Sequence, residues 1–396
     1  MRRILTLITL SCVAFPSFAA ENEFRLGVST ASRYTDNISN VSEGKEDAFA
    51  FDIGPRLQFD SSSTQYEAGM SYIPRLTFYT DERDDDVNHS FGAHADYRAT
   101  KRLSFRARDT LTLEFDADRD LTSVDEPSRD SDGDKQTFRN RFDFDVRYAA
   151  TPRFSLDANF GNFYVERKDK DLSDSNQLSG RIQGEYVLSH QDSIGAGVFA
   201  RNQKVQGRID SRGNDVGDST TDFDGFFLSW SHRFTPLLSA YAAGGPTWVT
   251  SNRDNDGRSS TTDLEYFANA GVNADFDHGK ISMTYSRSGA ENARTSTTSL
   301  IDTVNLRGSM LVNRKVTVGV FGEWNLRKAI LEQEGIDLED NVEQWIFRAT
   351  LSYKLTTELT SHFSVDYLRQ DTDVDKPSDR IRVVIRLDYI ARTFRF

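Results

Sequence analysis

From Glu21 to Phe396, apolar and polar positions alternate along the chain. In Phe138–Tyr148 the residues Phe142, Phe144, Val146 and Tyr148 fall on one side, with Arg139, Arg141, Asp143, Asp145 and Arg147 between them. Phe91–Ala99 sets Phe91, Ala93, Ala95, Tyr97 and Ala99 against Gly92, His94, Asp96 and Arg98. Gln344–Leu355 sets Trp345, Phe347, Ala349, Leu351, Tyr353 and Leu355 against Gln344, Arg348, Thr350, Ser352 and Lys354. In the last stretch, Asp379–Phe396, the apolar side is Ile381, Val383, Ile385, Leu387 and Tyr389. The charged side is Arg380, Arg382, Arg386 and Asp388, with Val384 and Ile390 as exceptions. A period of two belongs to β-strands, whose side chains point alternately to opposite faces. A helical period fits none of these stretches.

Short and long connections separate the strands in turn. The short ones lie at Asp60–Thr64, Thr100–Arg102, Ala150–Arg153, Ser189–Asp192, Thr235–Leu237, Asp277–Lys280, Val312–Arg314 and Thr356–Glu358. Several repeat one motif: T-K-R-L-S at Thr100, T-P-R-F-S at Thr151, T-P-L-L-S at Thr235 and T-E-L-T-S at Thr357. Proline at the second position pre-sets φ for a turn. The long connections are rich in Asp, Ser, Asn and Gly; they begin with Thr35–Asp47, and Asp116–Asp134 is the longest. Gly289–Ser296 reads as another of them. Eight short and nine long connections predict 18 strands.

In the clearest strands one face is apolar and the other charged, which leaves two architectures. A soluble solenoid or stacked sandwich needs one very long dry core for the 28 Phe and 14 Tyr. A membrane barrel turns the apolar face to lipid and the charged face to a wet lumen. An even strand count, with short turns at one end and long loops at the other, fits the barrel. The sequence therefore predicts an all-β fold: a transmembrane up-and-down antiparallel β-barrel of about 18 strands, with short periplasmic turns and long extracellular loops. Aromatic residues near strand ends, among them Phe59, Tyr66, Phe105, Tyr186, Phe276 and Tyr353, suit interfacial girdles.

Composition adds an address. Arg2 and Arg3 precede an apolar run from Ile4 to Phe15 and the small residues Ser17 and Ala19. This is the layout of a secretory signal peptide over residues 1–20, too short to span a bilayer as a helix. Residues 21–396 then form a single barrel domain without cysteine, since Cys12 is the only one in the chain. The formal charge of −13 becomes −15 once Arg2 and Arg3 are removed with the leader. The expected location is the bacterial outer membrane. A polar lumen and polar loops account for the negative mean hydropathy.

The residues argue against catalysis. Of the histidines, His94 and His362 point to the lumen, and neither belongs to a metal or nucleophile motif. Asp130–Asp134 and Asp254–Gly257 resemble fragments of calcium loops but lack the closing bidentate Glu, so no metal site and no cofactor is expected. No basic surface suited to nucleic acid is present. The alternation instead nominates a charged pore lining: Arg98, Arg106, Arg108, Arg139, Arg141, Arg147, Arg181, Arg348, Arg382, Arg386, Asp96, Asp143, Asp145 and Glu185. Cross-strand pairing of such residues stiffens a wall, and unpaired Arg forks bind carboxylates. Inward aromatics such as Phe199, Tyr241 and Phe267 suit stacking on sugar rings or filling space.

The stretch S-R-Y-T-D-N-I at Ser32–Ile38, the repeated threonine turns, D-D-D-V-N-H-S-F at Asp84–Phe91 and the terminal Phe396 resemble one family. It is the β-barrel porin family found in proteobacterial exopolysaccharide gene clusters. The resemblance runs along the mature chain and supplies no catalytic residues. It implies passage of a secreted polysaccharide across the outer membrane, with its export proteins as partners. Phe396 resembles the terminal signature that the barrel assembly machinery reads. Lipid and lipopolysaccharide are the expected surroundings. A general diffusion porin, with Asp116–Asp134 folded inward, is the alternative, followed by a structural or adhesive barrel.

Overall fold

The computed structural model describes residues 21–395 except 39, 41, 81–84, 116–135, 169–172, 207–217, 254–260, 293–296, 330–340 and 373–375. The leader, Phe396 and the acidic stretches Asp116–Asp134 and Asp254–Gly257 thus lie wholly or largely outside the described residues. The strands are β1 (Glu21–Thr35), β2 (Ala48–Ser62), β3 (Tyr66–Tyr79), β4 (Asp86–Arg98), β5 (Leu103–Phe115) and β6 (Gln136–Ala149). Next come β7 (Phe154–Arg167), β8 (Ser175–Val187), β9 (Asp192–Val205), β10 (Ser219–Arg233), β11 (Leu238–Arg253) and β12 (Thr261–Phe276). The series ends with β13 (Gly279–Asn292), β14 (Thr297–Leu311), β15 (Val316–Ala329), β16 (Val342–Lys354), β17 (Leu359–Thr372) and β18 (Ser378–Arg395). Each strand pairs antiparallel with its neighbours in sequence, and β1 pairs with β18, so the 18-stranded sheet closes on itself. Among the described residues there is no helix.

Closure follows from the chemistry of the two faces. Leu228, Leu264, Ile182, Val198, Met310 and Phe347 are large, apolar and exposed, and all lie on one face of the sheet. The opposite face is concave: Arg181 of β8 reaches Phe227 of β10, and Phe199 of β9 reaches Phe267 of β12. Side chains meet across intervening strands only on the inside of a closed sheet. Apolar groups outside and polar groups inside suit a bilayer, where closure leaves no backbone donor unpaired at a sheet edge. Aromatic rows run around the outer face. Trp324, Trp345, Phe347 and Tyr367 follow one another across β15, β16 and β17 at 6.1, 6.2 and 6.5 Å, and Trp230, His232 and Phe234 follow along the end of β10 at 5.7 and 4.4 Å.

The short turns share one device. Thr100 Oγ1 accepts from the backbone N–H of Arg102 and Leu103, and Thr151, Thr235 and Thr356 repeat the arrangement. In the last of these the capping residue is Thr356, one position before the repeat that the sequence suggests at Thr357. Ser63, Ser189 and Asn313 do the same with their own side-chain oxygens. A hydroxyl or amide oxygen that takes two turn N–H groups holds the chain reversal in a local bond.

Three departures from regular pairing stand out. The rungs between Ile53/Leu76 and Leu57/Tyr72 are missing where Pro55 and Pro74, neither with an N–H, would stand opposite each other. In β18 the register with β1 slips between Leu26 and Gly27, whose partners are Arg392 and Ile390, so Ala391 is an extra residue. This bulge exchanges the faces beyond it: Phe394 stands opposite Phe24, ring centres 6.3 Å apart, on the outer side. The third departure corrects the sequence reading of Gly289–Ser296 as loop. β13 continues to Asn292 because it keeps its ladder with β14 up to Asn292/Thr297, although it has parted from β12 above Ala268/Arg287.

Candidate functional site: an arginine and phenylalanine sector of the interior

The register places all fourteen nominated residues on the concave face. Most of the arginines are tied to carboxylates of the same wall. Arg106 Nε lies 2.6 Å from Asp96, Arg139 Nη1 2.7 Å from Glu114, and Arg141 Nε 3.0 Å from Asp143. Arg147 is 3.7 Å from Asp157, and Arg386 Nε 3.1 Å from Asp388. The most enclosed cluster is Asp366, 1% exposed, which accepts from Arg348 at 2.6 Å and Arg382 at 2.8 Å. Asp145 accepts from the Asn159 amide and Glu185 from the Ser193 hydroxyl. Arg98 and Arg108 stand exposed on the same face.

Arg181 and Arg201 differ. Among the described residues neither forms an ion pair with a carboxylate. Arg181 bonds the Gln183 amide oxygen, and its guanidinium lies 4.2 Å from the centre of the Phe227 ring. The Arg201 guanidinium lies 5.6 Å from the Phe223 ring centre. Stacking on an aromatic face spares a cation part of its desolvation cost and leaves in-plane N–H donors for an acceptor. Phe199, Phe227 and Phe267 pack together at 5.4, 6.0 and 6.3 Å, so the two cations border an aromatic cluster.

What Arg201 holds is main chain. Its Nη1 donates to the Gly289 carbonyl of β13 at 2.8 Å. β13 is not a wall neighbour of β9, so its upper part lies inside the barrel. A Cβ placed on Gly289 would come within 2.2 Å of the Phe223 ring on β10, and only glycine fits this close approach. Leu300 and Ile301 of β14 are buried with it. The space left between Phe199, Phe223, Val249, Phe267 and Leu300 is about 20 Å³, that of one small molecule of solvent.

Sequence reading places Arg181 in the lining and Arg201, Phe199 and Phe267 on the inner face. It misses Phe223, Phe227, Arg287 and Gly289. A signal for them exists in Asp222-Phe223-Asp224, where the usual order is inverted. Asp224 stands opposite Ala200 and Trp248 on the outer face, and Phe223 is turned inward.

No protein-family model matches the chain, and neither does any curated protein sequence. Among solved structures it is similar to OpdQ of Pseudomonas aeruginosa at 12% identity and a TM-score of 0.44, over 96% of this chain and 100% of that one. It is also similar to P. aeruginosa OccK2 (OpdF) in complex with glucuronate at 11% identity and a TM-score of 0.46, over 93% of this chain and 98% of that one. The FrpB iron transporter of Neisseria meningitidis (F5-1 variant) matches at 10% identity and a TM-score of 0.47, over 88% of this chain and 63% of that one. The chain thus spans less than two thirds of the iron transporter's length. These likenesses transfer no residue role and no substrate to this chain.

Proposed function

We propose that the protein is a bacterial outer-membrane barrel that conducts an acidic, ring-bearing solute through its lumen. The solute in this reading is an extracellular polysaccharide of acidic sugars, passing outward on the side of the long loops. The observation that carries the reading is the pair Arg181 and Arg201, two interior guanidinium groups without carboxylate partners among the described residues, beside a cluster of phenylalanine rings. Guanidinium forks bind carboxylates, and ring faces take the apolar face of a sugar. A barrel of this strand number encloses an aqueous lumen once interior segments move aside. Lipid and lipopolysaccharide surround the outer face, and Phe396 with the last strand is read by the barrel assembly machinery. Export proteins deliver the polymer from the turn side.

A second reading, a diffusion pore for small acids, is favoured by the inward position of β13, which narrows the lumen as a constriction does. Single-channel recording in a planar bilayer separates the two. An acidic polymer (alginate oligomers) is expected to block the current in steps, a neutral dextran of equal size is not, and Arg181→Gln is expected to weaken the block. Current that small acids carry and alginate leaves untouched supports the second reading. Equal block by dextran overturns the role of the arginines.

A further inference from the structure

The ladder between β12 and β13 holds from the turn at Phe276/Gly279 up to Ala268/Arg287 and stops there. Above that point Thr261–Phe267 pairs only with β11, and β13 pairs only with β14. The wall is therefore forked on the loop side, and β13 bends inward to Arg201. A bare strand edge has a cost in lipid, where backbone donors find no water. The fork begins nine residues from Phe276, about the distance of Trp345 from its own turn at Lys354, and so at the level of the outer aromatic row.

The two sides of the fork are chemically matched. On the bilayer side Leu264 is 68% exposed and Tyr266 51% exposed. On the lumen side lie Phe199, Phe223, Val249, Phe267 and Leu300, with Arg201 at the far end. Arg287 sits in the crotch. It bonds Asp302 at 2.8 Å and Glu265 at 3.3 Å and lies 4.2 Å from the Tyr266 ring centre. An apolar track from bilayer to interior, ending on a cation whose one hydrogen-bond partner among the described residues is a carbonyl, has the layout of a site for an anion with a hydrocarbon tail. The Gly289 carbonyl and Leu300 now occupy the places of head and tail.

We propose that the fork is a lateral portal for an amphiphile with an anionic head and an apolar chain. The head exchanges with the Gly289 carbonyl on Arg201, and the chain lies along the phenylalanines and out past Leu264 to the membrane. This route is independent of axial conduction: a barrel that fails to pass any polymer can still bind at its side.

The test uses the full barrel in nanodiscs and 11-(dansylamino)undecanoate, whose emission rises in apolar surroundings. Saturable binding is expected, about tenfold weaker in Arg201→Gln and largely kept in Arg201→Lys. The same chain ending in trimethylammonium is expected not to saturate. Residues 21–396 hold no cysteine, so Leu264→Cys takes pyrene maleimide at the portal mouth alone. That label is expected to slow association about tenfold, whereas the same label on the distant outer residue of Ile182→Cys leaves it unchanged. Heat-shifted mobility on a gel checks that each variant is a folded barrel. Binding that ignores both Arg201→Gln and the Leu264 label, or equal binding of the cationic probe, overturns the proposal. Slowing by the Ile182 label as well shows entry from the bilayer at large and overturns the portal.

Discussion

Asp366 is the residue on which the interior wall depends most. Its carboxylate is enclosed and takes both Arg348 and Arg382, one on each neighbouring strand. Removing a buried partner leaves two cations facing each other, a loss of about 3–5 kcal/mol in comparable sites. Asp366→Ala is expected to lower the urea midpoint of the barrel refolded in vesicles by such an amount, and Asp366→Asn by less, since the amide keeps one acceptor. The half-exposed pair of Arg147 and Asp157, 3.7 Å apart, sets the contrast. Exposed pairs contribute about 0–1 kcal/mol, and Arg147→Gln is expected to leave the midpoint within error. Composition shows the number of charges; only the register separates the enclosed pairs from the solvated ones. Asp143, Asp157 and Asp366 look alike in sequence and differ in how many neighbouring strands aim a guanidinium at them.

At the scale of strands, periodicity alone carries most of the fold. The 18 strands and their turn-loop rhythm are legible because each strand is half lipid-facing and half wet, and a one-residue error would reverse both faces. The fork is not legible in this way, since β13 keeps a strand's period while it changes partners. Its outward positions above Tyr285 include Arg287 and Gly289, neither with an apolar side chain, which is the trace that inward bending leaves in the sequence. Gly289→Val is expected to push the hairpin off Phe223 and raise single-channel conductance; unchanged conductance would mean that this hairpin does not limit the pore. The bulge in β18 makes a second test. It sets Phe394 opposite Phe24 on the outer face, where Phe394→Asp puts a charge into lipid. Refolding yield into vesicles is expected to fall sharply, and an unchanged yield would show that the terminal aromatic pair has no part in insertion.

Across the whole molecule, stability resides in the closed ladder and the outer apolar face, and little in a dry core. Among the described residues the buried apolar side chains form small interior clusters, such as Ile346 and Leu368 with Phe321 beside them, and the phenylalanines around Phe227. Raising salt from 0.1 to 1 M screens the wet ion pairs and leaves the ladder intact. The urea midpoint is expected to move little, while binding of an acidic polymer to the interior arginines weakens with salt. A midpoint that collapses in salt would mean that charge, and not the ladder, holds the wall.

The seam between β1 and β18 has a consequence for how the chain is ordered. Glu23 stands opposite Arg395, and β1 is bonded to β18 over nearly its whole length, as it is to β2. The first and last strands therefore meet like the two arms of any hairpin, the bulge at Ala391 apart. A barrel with β18 joined to β1 by a short linker and the chain newly opened at Gly44, in the first long loop, is expected to build the same ring. Which strand is made first is a matter of synthesis and delivery; the finished structure is circular in everything except its covalent order.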